Sequence, residues 1–301
     1  MKKLLKIKNT DLNPICRYKF PLNGQVIERI FTPLHIACRE GNYEIAKLLL
    51  EDERVDVNKP HNFGGSPFYI ACAFGKVDIV ELMIKNQRID INKPSYEGYT
   101  PLSVSCFYEK TEVVNLLLKD QRIEMNKPNK NDETPFYIAC QENRVAVVKI
   151  LMKDDRLDVN NYKKQEISPL GASIGDKQIF QLLIEDGRVN LCAKGRNNRT
   201  VFHLICQLNP SVEFIEMLIA IERDFKIDAL DHFGFTAKTL AKAKGNQAIV
   251  GLIEEVKKDR EMVAKRLREK LGWGSLSLNR KLLYYASDGL FMSINTNAKT
   301  L

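Results

Sequence analysis

The sequence has few of the residues that catalytic and metal sites require. It contains four histidines in 301 residues and has no HExxH, paired CxxC, GxSxG or P-loop spacing, the patterns that mark common metal, nucleophile and nucleotide sites. It also has no run of about 18 uninterrupted apolar residues, so no segment reads as a transmembrane helix. We therefore expect no enzyme active site, no metal ion and no cofactor.

We do not expect the opening of the sequence to act as a secretory leader. The opening MKKLLKIKNTDLNP carries charges where a signal peptide needs its apolar centre. With 44% apolar and 28% charged residues, the chain is too apolar to be disordered. These features predict a soluble protein inside the cell, in the cytoplasm or alternatively in the nucleus.

Positive charge is concentrated near the C-terminus. The chain has a formal net charge of +8, and residues 257–301 contribute +6 of it, with ten Lys and Arg against four Asp and Glu. Residues 1–256 therefore carry only +2. This distribution is weak support for nucleic-acid binding by the main part of the chain.

A seven-residue segment recurs through most of the chain. It first reads TPLHIAC, and its copies begin 34 residues apart at Thr32, Ser66, Thr100, Thr134 and Ser168. Two later copies break this interval and begin at Thr200 and Thr236. A repeat of this length is one supersecondary unit, which buries its apolar face only by stacking on its neighbours.

Each copy has the signals of two helices and a turn. In the first copy, Thr32 is a good helix N-cap and Pro33 suits the first helical position. Gly41 can end this helix in the left-handed conformation, and residues 43–51 form a second helix with a broad apolar face. The chain then runs extended through VDVNKP and turns at Gly64 before the next copy begins.

Together these features resemble the ankyrin repeat. The resemblance rests on TPLHIAC, Gly41, the second helix EIAKLLL, the DVN segment and the turn glycine that precedes the next copy. It implies an all-α solenoid of stacked repeats, each with two antiparallel helices and a β-hairpin finger. It also implies a concave face that binds other proteins, and it implies no catalysis.

The resemblance divides the chain into three parts. Residues 1–31 do not match the repeat, but an Asn-Gly pair between two extended runs predicts a hairpin that caps the first copy. Residues 32–256 are the ankyrin-repeat domain, with about six repeats and a partial last unit. Residues 257–301 are a basic helical extension, in which the last repeat helix continues until Gly272. We expect the segment NRKLLYYASDGLFMSI to fold back as a cap, or alternatively to bind a partner or a membrane surface.

The repeated cysteines and histidines have structural interpretations. Equivalent atoms of stacked helices lie about 8–10 Å apart, too far for a disulfide or a zinc site. We therefore expect buried thiols in a reducing compartment at one repeat position, in Cys38, Cys72, Cys106, Cys140 and Cys206. His35 and His203 share a position that holds Tyr or Ser in other copies. We expect both histidines to bond backbone groups and not to act as ligands or bases.

An arginine also recurs in phase, just after the second helix of each copy. Its positions are Arg54, Arg88, Arg122, Arg156 and Arg188. We expect these side chains to hydrogen-bond carbonyl groups at the end of the second helix, where a cation is favourable. The alternative is a row of arginines that binds a ligand.

Candidate contact residues lie at the positions where the copies differ. By resemblance these are the fingertips and the ends of the first helices, which face the concave groove. We predict partner contacts at Phe63, Phe74, Tyr96, Tyr99, Phe107, Tyr108, Lys130, Lys164, Arg196 and Arg199. Aromatic and arginine side chains dominate interface hot spots. The alternative for Phe63, Phe74 and Phe107 is packing against neighbouring fingers.

The sequence therefore predicts a monomeric, non-catalytic scaffold or adaptor that binds a partner protein in the groove. The groove is aromatic in its early copies and basic in its later ones, which suits an acidic segment of the partner. The alternative function is binding of nucleic acid or an anionic surface through residues 194–199 and the helix after Lys257. The acidic residues Asp259, Glu261 and Glu269 argue against this alternative.

Overall fold

Fifteen α-helices and one two-stranded hairpin account for the regular structure of the described chain. The computed structural model describes residues 12–14, 16–22, 25–162, 167–208 and 211–273. Its contacts divide the chain into two units, residues 1–163 and residues 164–301. Both units consist of paired short helices joined by turns, which is the all-α repeat architecture that the sequence predicts.

The first unit begins with the antiparallel hairpin. Strand β1 spans Cys16–Leu22 and strand β2 spans Gln25–Phe31, with Cys16 opposite Phe31 at the open end. The Asn-Gly pair predicted to join them lies outside the described residues. Phe31 is buried, and its ring centroid lies 5.7 Å from that of His35 and 5.6 Å from that of His61. The end of the hairpin is thus anchored in the first repeat, and its role as a cap stays a prediction.

Four helix pairs follow the hairpin in the first unit. They are α1 (Pro33–Glu40) with α2 (Tyr43–Glu51), α3 (Pro67–Ala73) with α4 (Val77–Ile84), α5 (Pro101–Phe107) with α6 (Thr111–Leu118), and α7 (Pro135–Gln141) with α8 (Val145–Leu151). First helices pack on first helices and second helices on second helices of the next pair. This stacking gives each pair the neighbour that its apolar face needs.

The second unit contains three helix pairs and one additional helix. They are α9 (Pro169–Ala172) with α10 (Lys177–Glu185), α11 (Val201–Leu208) with α12 (Val212–Ala220), α13 (Ala237–Ala243) with α14 (Gln247–Lys258), and the single helix α15 (Arg260–Lys270). Helix α9 is one turn long and continues as a 3-10 turn over Ser173–Gly175. Helix α11 packs on α13, and α12 packs on α14 and α15.

The repeated Ser/Thr-Pro pairs begin the first helices, as predicted. The side-chain oxygens of Ser66, Thr100 and Thr134 each accept a hydrogen bond from the backbone N–H three residues later at 3.1 Å. Gly41 follows helix α1 in the left-handed conformation, with φ 84°, and its N–H donates to the Ala37 carbonyl. The caps therefore satisfy backbone groups that a helix end leaves unpaired.

The repeated cysteines lie in the core between the helices. All five are buried and have free thiols: Cys38, Cys72, Cys106, Cys140 and Cys206. Burial raises the pKa of every one of them, to about 12 for Cys206. Because the reactive form of cysteine is the thiolate, these side chains serve packing, as the sequence predicts.

The last repeat helix is interrupted, so the prediction of one continuous helix as far as Gly272 is wrong. Asp259 has extended backbone angles, φ −152° and ψ 93°, and its carboxylate accepts a hydrogen bond from the N–H of Met262 to begin α15. The break lets α15 turn back and pack on α12. Its apolar stripe is buried there through Val263, Ala264 and Leu267. NRKLLYYASDGLFMSI lies outside the described residues.

An asparagine before each finger fastens neighbouring repeats together. The side chain of Asn58 donates to the Arg88 carbonyl at 2.6 Å and accepts from the N–H of Asp90 at 2.9 Å. Asn92 and Asn126 make the same two bonds in the following repeats. The segments between repeats are thus joined side chain to backbone along the first unit.

Asn13 extends this row at its beginning. Its side chain donates to the Arg54 carbonyl at 3.0 Å and accepts from the N–H of Asp56 at 2.9 Å. Leu12, beside it, is buried. Residues 12–14 therefore occupy the place of a preceding repeat, and the hairpin stands where that repeat would have its finger. Among the described residues of this segment, only Asn13 shows this equivalence, and the division of residues 1–31 from the repeats stays a prediction.

Three of the five phased arginines, Arg88, Arg122 and Arg156, bind carbonyl groups as predicted, and the carbonyls belong to the preceding repeat. Arg88 donates to the carbonyls of Leu50 at 3.3 Å and Asp52 at 3.2 Å, and also to those of Glu53 and Val55. Leu50 lies in the last turn of helix α2. Each such arginine therefore compensates the end of one helix and joins two repeats.

Arg122 and Arg156 show the same role, whereas Arg54 and Arg188 form ion pairs with Asp52 and Asp186 of their own repeats. Arg122 donates to the Ile84 carbonyl at 3.0 Å, and Arg156 donates to the Leu118 carbonyl at 2.7 Å. In the second unit the role falls to Arg223, which donates to the Ile184 carbonyl at 3.0 Å. The irregular spacing of the copies around residue 200 moves Arg223 out of phase, so the sequence pattern did not reveal it.

Candidate functional site

The fingers of the first unit are tight turns. In the first finger, His61 N–H donates to the Gly65 carbonyl at 2.9 Å and Gly64 N–H donates to the His61 carbonyl at 2.8 Å. The next two fingers contain the same pair of bonds, starting at Ser95 and Asn129. No paired strands occur in the finger segments of the described chain. The extended VDVNKP run is also replaced by turns, because Asp and Asn side chains bond the nearby N–H groups.

Neighbouring fingertips are bonded directly to one another. Tyr96 N–H donates to the Phe63 carbonyl at 3.1 Å, and Lys130 N–H donates to the Glu97 carbonyl at 3.0 Å one finger later. Gly64 has φ +89°, and a Cβ there would lie 2.1 Å from Tyr96 N and 2.7 Å from the Tyr96 ring. The first fingertip can therefore accept only glycine, and the Tyr96 ring lies against it.

Four of the predicted aromatic residues are exposed, and we call them the aromatic surface. The exposed fraction is 46% for Phe63, 47% for Phe74, 56% for Tyr96 and 53% for Tyr108. Phe74 and Tyr108 follow helices α3 and α5, which pack on each other. Phe63 and Tyr96 belong to two fingers joined by a backbone bond. The four side chains thus come from two neighbouring fingers and from the two first helices that follow them.

Two other predicted aromatic residues have internal contacts. The Tyr99 hydroxyl hydrogen-bonds with Asn129 and Glu133 of the next finger, and burial raises its pKa. Phe107 is half-buried, and its ring packs edge-on against Tyr108 with centroids 5.0 Å apart. Both residues therefore support the finger and the helix end that carry the aromatic surface.

The predicted basic residues also differ in their surroundings. Lys130 and Arg196 are exposed, whereas Lys164 lies outside the described residues. Arg199 pairs with the buried carboxylate of Asp231 at 3.1 Å and donates to Gln207 at 2.5 Å. Arg199 is thus committed to contacts inside the second unit.

The histidines of the repeat frame bond backbone groups, as predicted. His35 Nδ1 accepts from the N–H of Thr32 at 3.1 Å, and Nε2 lies 3.1 Å from the Gly65 carbonyl. Because a carbonyl only accepts, Nε2 carries the proton and donates. Burial lowers the pKa of His35 to about 4. His203 makes equivalent contacts with Thr200 and the Phe235 carbonyl.

The second unit exposes apolar residues that were not among the predicted contacts. Leu208 and Phe233 are each 60% exposed, and Leu230 and Phe235 are exposed as well. Phe233 and Phe235 flank Gly234, which has φ +79° at the fingertip. That glycine occupies the position of Gly64 and was the sequence signal that would have identified this finger.

The basic side chains of helix α15 are engaged within the second unit. Lys270 pairs with the largely buried Glu216 at 2.6 Å, Arg268 with Glu222 at 2.6 Å, and Arg266 with Glu255 at 2.6 Å. Arg260 donates to the Arg223 carbonyl at 2.7 Å and lies over the Phe225 ring. These contacts leave the helix little free charge for the alternative function of binding nucleic acid.

Within the described residues, no group of three or more His, Cys, Asp or Glu side chains is arranged to hold a metal ion. None of the described helices has the length and apolar character needed to cross a membrane. The candidate functional groups of the described residues are therefore the exposed side chains of the fingers and the helix ends.

Comparison with known proteins places this architecture in a defined class. The family model described as ankyrin repeats (3 copies) matches in four overlapping segments, residues 3–95, 34–129, 68–165 and 112–189. The chain therefore belongs to the ankyrin-repeat family. Domains of this family generally mediate protein–protein interactions and are typically non-catalytic.

Solved structures agree on the fold. The ankyrin repeat domain of Bcl-3, described as a unique member of the IkappaB protein family, is 18% identical, with a TM-score of 0.66 over 73% of this chain and 98% of that one. The human ASB11 ankyrin repeat domain is 21% identical, with a TM-score of 0.59 over 74% of this chain and 98% of that one. No curated protein matches the sequence.

Proposed function

We propose that this protein is a monomeric, non-catalytic scaffold or adaptor that holds a partner protein on the aromatic surface of its first unit. The observation that carries the proposal is the exposure of Phe74 and Tyr108 at matching ends of two first helices, together with Phe63 and Tyr96 at two neighbouring fingertips. Aromatic side chains bury large areas and dominate interface energetics. The buried free thiols suit a reducing compartment, so we place the protein in the cytoplasm.

The aromatic surface is held in place by the backbone. The two fingers are joined by the bond from Tyr96 N–H to the Phe63 carbonyl, and Gly64 fixes the close approach of the Tyr96 ring. Phe107 supports the Tyr108 ring from the side. A surface that is ordered before binding loses less conformational entropy in the complex, which favours affinity.

Charge around the aromatic surface is nearly balanced. The fingers and first helices of repeats two to four, residues 59–75, 93–109 and 127–143, together carry a net charge of −1. Apolar contact rather than charge should therefore provide the affinity, so we expect binding at this surface to change little with salt.

The test compares capture of partner proteins by the tagged full chain and by a variant carrying Phe74→Ala, Tyr96→Ala and Tyr108→Ala. We expect proteins retained by the unmodified chain to fall at least about tenfold, since aromatic hot spots contribute about 2 kcal/mol or more each. Tyr43→Ala is the matched control, because Tyr43 is an exposed aromatic residue at the start of a second helix. Unchanged capture by the triple variant, or equal loss with the control, would contradict the proposal.

A further inference from the structure

The fingers and first helices of the second unit form a surface that differs in composition from the aromatic surface of the first unit. Leu208 and Phe233 are strongly exposed and occupy repeat positions that belong to the aromatic surface in the first unit. The exposed cations Arg196 and Lys244 occupy two further positions of the same kind. We call these four residues the basic surface. Its two fingers are bonded to each other through backbone groups at 2.8 Å.

Charge separates this surface from its counterpart in the first unit. Residues 193–209 and 229–245 contain six Lys and Arg and one Asp, a net charge of +5. The single acidic side chain is Asp231, which is buried and paired with Arg199 at 3.1 Å. Arg196 and Lys244 form no ion pair with any residue that the structure describes. Lys238 pairs with Glu254 at 2.8 Å, so the positive charge presented to solvent comes chiefly from residues such as Arg196 and Lys244.

We propose that the basic surface binds an acidic polypeptide segment that carries apolar side chains. Leu208 and Phe233 provide the apolar contacts, while Arg196 and Lys244 pair with carboxylates of the segment. Complementary charge of this kind accelerates encounter and fixes the register of the bound segment. The inference extends the proposed function, protein binding, to a second surface that uses different side chains.

Two other occupants fit the charge less well. Residues 274–301 of the chain itself are apolar but carry a net charge of +2, which opposes docking on a positive surface. Nucleic acid requires a longer track of free cations. The basic helix α15 has Lys270, Arg268 and Arg266 in ion pairs with glutamates of the same unit.

The test selects short random peptides displayed on phage against the full chain and measures binding of the enriched peptides by fluorescence anisotropy. We expect an excess of Asp, Glu and apolar residues in these peptides. The double variant Arg196→Glu and Lys244→Glu should weaken their binding at least about tenfold, and more at low salt. Lys258→Glu with Lys265→Glu changes the net charge equally at exposed positions of α14 and α15, and should alter binding less than about twofold.

Other results would overturn the inference. Enriched peptides without an acidic excess, or equal losses in both double variants, would show that the basic surface does not select acidic segments. Tighter binding of a single-stranded oligonucleotide or of the synthetic peptide 274–301, abolished by Arg196→Glu and Lys244→Glu, would assign the surface to that occupant instead. The triple variant of the aromatic surface keeps this site intact, so failure of one proposal is distinguishable from failure of the other.

Discussion

Arg88 joins two repeats, and its replacement by alanine tests how strongly such contacts stabilise the first unit. The guanidinium donates to four carbonyls of the preceding repeat, at Leu50, Asp52, Glu53 and Val55. Net contributions of about 0.5–1.5 kcal/mol for each hydrogen bond, with the bonds of 3.3 Å or longer counted at the low end, give a loss of about 2–4 kcal/mol. For a unit of this size the melting temperature should fall by about 5–15 °C.

Thermal unfolding followed by far-UV circular dichroism measures this loss. Arg88→Lys should lose an intermediate amount, because an ammonium group cannot contact as many carbonyls as the guanidinium fork. Lys85→Ala is the control, since the exposed Lys85 side chain pairs with Glu81 four residues earlier and its loss should leave the melting temperature nearly unchanged. Equal melting temperatures for Arg88→Ala and the unmodified chain would refute the stabilising role of these bonds.

Two further predictions concern the first finger and the repeat frame. Gly64→Ala should destabilise the first unit by about 2 kcal/mol or more, because φ of Gly64 is positive and the new Cβ would collide with Tyr96 N. Gly187→Ala is the control in the same melting assay and should have no effect, because a Cβ at Gly187 would have no neighbouring atom within 4 Å. Burial lowers the pKa of His35 to about 4, so the unfolded chain binds a proton first as pH falls. The contribution of His35 to the free energy of unfolding should therefore be fully present above about pH 6.5. It should fall by at most about 3 kcal/mol as the pH is lowered towards 4. Urea unfolding should show a smaller drop in His35→Ser, and an unchanged drop would contradict this role.

The repeat frame was predictable because its signals are local. Each copy carries its own Ser/Thr cap, its Pro at the first helical position and its apolar stripes, so the same short-range rules apply at every start. The buried thiols followed from their equivalence along the stack. The equivalence of Asn13 to Asn58 could not be predicted from their spacing. Asn13 lies 19 residues before Thr32, whereas Asn58 lies 8 residues before Ser66. The inserted hairpin hides the spacing.

Whether a given surface residue is exposed or bonded depends on the side chains of the next repeat. The position of the residue within its own repeat does not identify those side chains. Tyr99 and Arg199 hold equivalent positions, and both side chains reach the following finger, where Glu133 and Asp231 bond them. Their neighbours at the fingertips stay exposed. The start of α15 could not be predicted for a similar reason. The apolar residues keep the spacing of one continuous helix across Asp259, so the sequence pattern does not reveal the break. Tertiary packing on α12 decides where the chain turns.

Whether a partner protein covers the aromatic surface is tested most directly by hydrogen–deuterium exchange of the full chain with and without a captured partner. We expect slower exchange in the complex at residues 63–64, 96–98 and 107–109, where the aromatic side chains emerge. The amides of the second helices α4 and α6 should exchange equally in both samples. Protection confined to those second helices, with unchanged exchange at the fingertips, would contradict the proposed function.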